Sequence, residues 1–253
     1  VTDGATALRA LTRVVGSIAV ELPDGVPDSA AAAARLEHGI PGLTGEPLLD
    51  WDSLVHAGSL ITAELAAAGV AIAPVAPALA TASARTRREE ILEAALTGTT
   101  SNLPWEHPGA EALSTVLDWA ARPALRAATR SLGGLLPGTW RRGRCPGCGA
   151  PPTLSVVSGK ERTRRLHCGR CLTSWPYPRV RCPGCGEHRH DRLGYLHAPG
   201  EADHRRAEVC DSCGTYVKSV AQLDPPGADR LVDLDLETVA LDFAALDGGY
   251  ARV

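Results

Sequence analysis

Four Cys-x-x-Cys pairs, with no cysteine outside them, constrain this chain more than any other feature of its sequence. They read Cys145-Pro146-Gly147-Cys148, Cys168-Gly169-Arg170-Cys171, Cys182-Pro183-Gly184-Cys185 and Cys210-Asp211-Ser212-Cys213. A two-residue gap lets a tight turn present both sulfurs to one cation, so eight such cysteines supply two tetrahedral four-sulfur sites. Proline at the second position fixes its own φ, and glycine after the second cysteine takes positive φ without a Cβ clash. The first and third pairs have both features. The last has Asp211 in place of proline but keeps Gly214, and the second is followed by Leu172.

The intervening lengths bear on which pairs share an ion. There are 19 residues between Cys148 and Cys168, 24 between Cys185 and Cys210, and ten between Cys171 and Cys182, including Pro176 and Pro178. Each long gap reads as a β-hairpin: Thr153 to Val157 returning through Arg164 to His167, and Leu193 to His197 returning through Arg205 to Val209. Sequential pairing follows, as two ribbons in tandem with a 37-residue offset from Cys145 to Cys182. Interleaving, the first pair with the third, is the competing arrangement. Disulfides are disfavoured because the apolar run Val14 to Val20 lacks the flanks of a secretion signal, and a redox motif needs one such pair, not four.

The rest of the chain carries no competing chemistry. Its apolar residues are chiefly alanine and leucine, with aromatics at 4% and Phe243 the one phenylalanine, which suits close-packed helices. Periodicity predicts helices over Ala5 to Val20, Ser29 to Glu37 behind an Asp28 cap, Asp50 to Gly69, Arg87 to Leu96, and Ala110 to Leu132 with a kink at Pro123. The uncharged run Leu65 to Ala84 is interrupted by Gly69, Pro74 and Pro77, and reads as two buried helix ends meeting at a turn; no membrane insertion is expected. His38, His56 and His107 share no ligand spacing. Asp50 and Asp52 read as a cap and a first-turn carboxylate. After a Gly- and Pro-rich boundary at Leu132 to Arg144 and the two ribbons, Tyr216 to Leu223 reads as a closing strand and Ala228 to Leu246 as a final helix.

The expected fold class is therefore α+β: an N-terminal all-α domain (1–140), two tandem zinc-ribbon modules of four cysteines each (141–179 and 180–224), and a C-terminal helical tail (225–253). Charge is uneven, since Arg141 to Lys218 holds 15 Lys and Arg against 7 Asp and Glu. Two divalent ions on eight thiolates subtract from that excess and leave a mild basic field. The arginines of the hairpin returns, Arg162, Arg164, Arg165, Arg205 and Arg206, raise a nucleic-acid reading. Few aromatics stand among them for stacking, so a solvated strand face is preferred. Trp175, Tyr177, Tyr195 and Tyr216 are candidates either for partner contact or for covering small ribbon cores.

The flanks of the cysteines narrow the reading. Arg144-Cys145-Pro146 with Cys148-Gly149-Ala150-Pro151-Pro152, Arg165-Leu166-His167-Cys168 with Cys171 and Trp175, Arg179-Val180-Arg181-Cys182, and Glu208-Val209-Cys210 with Cys213-Gly214-Thr215-Tyr216-Val217-Lys218 resemble the formate dehydrogenase accessory protein family, FdhE. The tail from Asp229-Arg230-Leu231-Val232 to Gly249-Tyr250-Ala251-Arg252 resembles that family's end as well. The resemblance implies a cytoplasmic accessory factor, not itself an enzyme, that serves formate dehydrogenase maturation and contacts its catalytic subunit, and it allows a homodimer. It further implies rubredoxin-like modules holding iron, with zinc as the alternative: Cys145, Cys148, Cys168 and Cys171 on one ion, Cys182, Cys185, Cys210 and Cys213 on the other. Four thiolates leave no open coordination position, so such sites support a fold or pass one electron. A rubredoxin-like electron carrier is the other reading of the same cysteines.

Overall fold

The computed structural model describes residues 4–70, 79, 85–103, 109–136, 138–200 and 202–253. The chain forms two compact units, one from Val1–Ala32 and Leu43–Gly133, the other from Ala33–Gly42 and Gly134–Val253. The Pro74/Pro77 turn, Trp105 with His107, and Pro137 lie outside the described residues.

Among the described residues the first unit is helical. Its helices are α1 (Gly4–Ser17), the start of α2 (Ser29–Glu37), α3 (Trp51–Ala67), α4 (Arg85–Thr97), α5 (Ala110–Ala120) and α6 (Arg122–Ser131). Caps set the starts where the sequence indicates them. Asp28 Oδ1 accepts from the N–H groups of Ala30 and Ala31 at 2.9 and 3.1 Å, and Asp50 Oδ1 from that of Ser53 at 2.7 Å. Helix α3 is central, packing on α1 and α5; its Leu54, Ala57, Ile61 and Leu65 are buried, as are Leu11 and Val15 of α1 and Val116 and Leu117 of α5. The helix expected over Ala110 to Leu132 is two helices, because Pro123 has no N–H to continue the ladder and serves instead in the first turn of α6. Arg122 bridges the break, donating to Asp118 Oδ2 at 2.9 Å and stacking 3.5 Å over the Trp119 ring.

The second unit is built on one sheet. Its strands are β1 (Leu154–Ser158), β2 (Thr163–His167), β3 (Ser174–Pro176), β4 (Leu193–Leu196), β5 (Arg205–Cys210), β6 (Thr215–Gln222) and β7 (Ala251–Arg252). The expected hairpins are β1/β2 and β4/β5, with β6 closing antiparallel on β5. Unlike two separate ribbons, however, they merge: β6 also pairs parallel with β1, giving the order β3-β2-β1-β6-β5-β4, with β7 on β6. Strand β1 is buried along its whole length, as an interior strand of a merged sheet must be.

An ion pair between a buried arginine and a half-buried glutamate crosses the seam between the hairpins. Arg164 of β2 is 2% exposed, and its guanidinium pairs with Glu208 of β5 while donating to Ser155 Oγ, Pro178 O and Arg181 O at 2.8 to 2.9 Å. The tail, expected as one helix, is α7 (Ala228–Glu237) and α8 (Val239–Asp247), broken at Thr238, whose buried hydroxyl bonds back to Leu234 O at 2.7 Å. Leu231 and Leu234 of α7 cover Leu154, Val156 and Val220; Leu241 and Ala245 of α8 cover Ala207, Val209 and Tyr216. Lys218, 1% exposed, fastens this tail by bonding Asp235 and Asp242 at 2.7 Å.

Candidate metal centres

All four Cys-x-x-Cys turns share one backbone device. The N–H of the residue after the second cysteine donates to the carbonyl of the first: Gly149 to Cys145 (3.0 Å), Leu172 to Cys168 (3.1 Å), Gly186 to Cys182 (3.0 Å) and Gly214 to Cys210 (2.8 Å). That closing residue has φ of 77°, 64°, 80° and 66° in turn, so glycine is the expected occupant and Leu172 is held in a conformation disfavoured for its side chain.

The hairpins bring the turns together in sequence order. Cys145, Cys148, Cys168 and Cys171 form one set and Cys182, Cys185, Cys210 and Cys213 the other, the sulfurs of each lying within 4.8 Å of one another. Interleaving is not what the sulfurs show. Cys145 and Cys171 are 3.4 Å apart, Cys148 and Cys168 3.6 Å, and Cys182–Cys213 and Cys185–Cys210 both 3.7 Å. None is a disulfide. A tetrahedron with metal–sulfur bonds of about 2.3 Å has edges of about 3.8 Å, so the donor sets fit a four-coordinate thiophilic ion.

Electrostatics point the same way. Burial pushes the Cys145 thiol well up and the Cys182 thiol up to about 12, whereas hydrogen bonds from Cys145, Cys148 and Cys168 hold Cys171 well below its usual value. Sulfurs crowded this closely share protons, and a divalent cation takes the place of those protons. The two sets differ in cover. In the first, Cys145, Cys168 and Cys171 are buried and Cys148 half-buried; in the second, Cys185 and Cys213 are exposed.

Some supporting groups are not obvious from the cysteine spacing. Thr173 Oγ1 lies 3.2 Å from Cys171 Sγ and Thr215 Oγ1 3.1 Å from Cys213 Sγ, an equivalent placement two residues after the last cysteine of each set. Comparing the two repeats for Cys-x-Thr would have found it. Thr153 Oγ1 accepts from Gly169 N at 2.9 Å, and Gly184 N donates to Cys182 Sγ at 3.3 Å. Of the candidate aromatics, Trp175, Tyr177 and Tyr216 are buried: Trp175 Nε1 donates to Arg142 O at 3.0 Å and Tyr177 OH to Cys182 O at 2.9 Å. Tyr195 is exposed and stacks with Arg206.

Two family sequence models match this chain: "FdhE, central domain" over residues 144–179 and "FdhE, C-terminal domain" over residues 180–253. Over residues 144–253 the chain is similar to FdhE. Curated FdhE relatives agree, among them the homologue of Edwardsiella ictaluri, 39% identical over 43% of this chain and 35% of its own length. Protein FdhE of Escherichia coli is 35% identical over 53% of this chain and 44% of its own. The chain thus matches less than half the length of these curated relatives. The crystal structure of the FdhE protein from Pseudomonas aeruginosa aligns with 98% of this chain and 85% of that one, at 29% identity and a TM-score of 0.63. Both the helical N-terminal part and the FdhE-type sheet with its two four-cysteine clusters therefore have a counterpart in a solved FdhE structure.

Arg162 is exposed, but the other four hairpin arginines do not form the solvated face expected of them. Arg164 is buried, Arg165 bonds Ser174, Arg205 pairs with Glu237, and Arg206 pairs with Glu208. The charge of these four is spent on carboxylates and carbonyls of the same sheet and tail, so the strand face does not favour the nucleic-acid reading. No helix among the described residues is long and apolar enough to cross a membrane.

Proposed function

We propose that this chain is a cytoplasmic accessory factor required for formate dehydrogenase activity, binding the dehydrogenase catalytic subunit during maturation and catalysing no reaction of its own. One observation carries the reading: both FdhE domains match in order, and the eight cysteines they contain gather into two four-sulfur sets. The test is a deletion strain of the source organism. Formate dehydrogenase activity is expected to fall and to return with the intact gene, and the catalytic subunit to copurify with the tagged protein. Full activity in the deletion strain overturns the reading.

In this account Cys145, Cys148, Cys168 and Cys171 hold one ion and Cys182, Cys185, Cys210 and Cys213 the second. Residues 141–179 and 180–224 are the two rubredoxin-like modules between a helical domain (1–140) and the tail (225–253). Iron is the proposed ion and zinc the alternative, because both accept four thiolates. Four sulfurs close the coordination shell, so the ions rigidify the sheet or pass single electrons, and offer no position at which to polarise a substrate. Metal analysis with visible spectroscopy on protein purified without air decides between them: thiolate-to-iron bands are expected, and zinc alone ends the electron-carrier reading. Light scattering of the same sample tests for the homodimer.

A further inference from the structure

A cleft of about 350 Å³ lies beside the second sulfur set, wholly within the second unit. The segment Arg141 to Arg144 and Arg181 line one part of it, and the third cysteine turn, with exposed Cys185, lines another. Trp140 and Tyr177, both buried, stand in its wall. The frame is tight. A Cβ on Gly143 would lie 1.8 Å from Pro183 O, so the arginine segment sits directly on the metal-site turn. Trp140 Nε1 anchors the same segment at Arg144 O (2.8 Å) and Trp175 Nε1 at Arg142 O (3.0 Å).

Four arginines, Arg141, Arg142, Arg144 and Arg181, line the cleft, and all four are exposed. Among the described residues no aspartate or glutamate lines the cleft. Arg141 donates to the backbone carbonyls of Gly138 and Trp140, and Arg181 to that of Gly186. The Arg142 guanidinium lies 5.9 Å from the Trp140 ring. Among the described residues none of the four has a carboxylate partner, whereas Arg164, Arg205, Arg206, Arg230 and Arg252 of the same unit all do. Like charges held together by a rigid frame repel, and an anion that reaches several of them relieves the repulsion while making forked charge-assisted bonds.

We propose that this cleft docks an acidic segment of a protein partner, whose carboxylates bridge Arg141, Arg142, Arg144 and Arg181. The inference rests on the accessory-factor reading and names the surface that would serve it. A peptide fits better than a nucleic acid, because Trp140 and Tyr177 are each 5% exposed and offer no open ring for base stacking.

The test uses the full chain with both sites filled with zinc, and fluorescence anisotropy with three probes. These are a labelled peptide of alternating glutamate and leucine, the same peptide with lysine for glutamate, and a single-stranded oligonucleotide of equal length. The glutamate peptide alone is expected to bind, more weakly as salt rises. Its affinity should fall about tenfold or more in the triple variant Arg141→Ser, Arg142→Ser, Arg181→Ser. It should be unchanged by Lys160→Ser with Arg162→Ser, two exposed cations of the β1–β2 turn. The proposal is overturned by undiminished peptide binding in the triple variant, by no binding in the parent protein, or by tighter binding of the oligonucleotide. It is overturned equally if the triple variant loses the second ion, since the arginines would then be counter-charges for the thiolates. Copurification keeps the two readings apart. A parent protein that retains the dehydrogenase subunit but ignores the peptide refutes the cleft and leaves the accessory function standing; one that retains no subunit refutes that function, while the peptide assay still judges the cleft.

Discussion

The two sulfur sets are built from the same turn and the same hairpin, yet they sit in different surroundings. Their spacings are alike, 3.4 and 3.6 Å in the first and 3.7 Å twice in the second. Both place a threonine hydroxyl near the last sulfur. Cover separates them. The segment Ala33–Gly42 folds onto the first set, with Gly42 N donating to Pro146 O at 2.8 Å, whereas two of the four cysteines of the second set face solvent. Local backbone geometry is thus common to the two sets, and the packing around them is not. A buried four-thiolate site suits a structural ion, and a half-open one suits exchange, oxidation or contact with another molecule.

Removing one sulfur from each set probes that difference most strongly. Cys168→Ser is expected to remove the first ion and destabilise the second unit by about 5 kcal/mol or more, because a buried polar group replaces a ligand at the root of β2. Cys213→Ser should remove only the second ion and cost clearly less. Denaturant melts with metal counting check this, and equal losses would mean that exposure does not grade the two sites. Next in size is Arg164→Ala, which takes from half-buried Glu208 its buried partner at the seam between the hairpins and leaves it only the longer pairing with Arg206. A loss of about 3–4 kcal/mol is expected, with both ions still bound at room temperature. Loss of a single ion in this variant would show that the seam supports one site more than the other.

How much of this was legible without coordinates follows the range of each interaction. The four turns, the two hairpins and the sequential pairing are local, and the spacing of cysteines, glycines and prolines specifies them. Parallel pairing of β1 with β6 is not local: it brings Ser155 and Ser219, 64 residues apart, to 3.4 Å, and no short pattern announces it. The inward turn of Arg164 was hidden for a related reason. In Thr163-Arg164-Arg165-Leu166-His167 both arginines look solvated, and only the partner across the seam shows which is buried. Thr238 ends α7 through a side-chain bond to its own helix, a signal too weak against the apolar periodicity of the tail. The unpaired arginines of the cleft belong to segments 37 residues apart in the case of Arg144 and Arg181, so their meeting is visible only in the fold.

A chelator sharpens the comparison at lower energy. Titrated with a metal-binding dye, the filled protein should release one ion at least about tenfold faster than the other. The early ion is assigned to the second set if Cys213→Ser abolishes the fast phase. A single phase for both ions would show that two exposed cysteines do not open that site.

The smallest effects test whether the turns themselves are equivalent. Gly214 has φ of 66° and open space where a Cβ would stand, so Gly214→Ala meets no neighbour and costs only the left-handed conformation, about 1 kcal/mol. Leu172, at 64°, already bears that cost in the first set. Leu172→Gly relieves it, but gives up the half-buried side chain and adds freedom to the unfolded chain, so a gain below about 1 kcal/mol is expected. Melting curves of the two zinc-filled variants should therefore move in opposite directions. If Leu172→Gly destabilises as much as Gly214→Ala does, the leucine contributes more to the first set through packing than it loses through its backbone, and the firmer site owes part of its firmness to the one turn that departs from glycine.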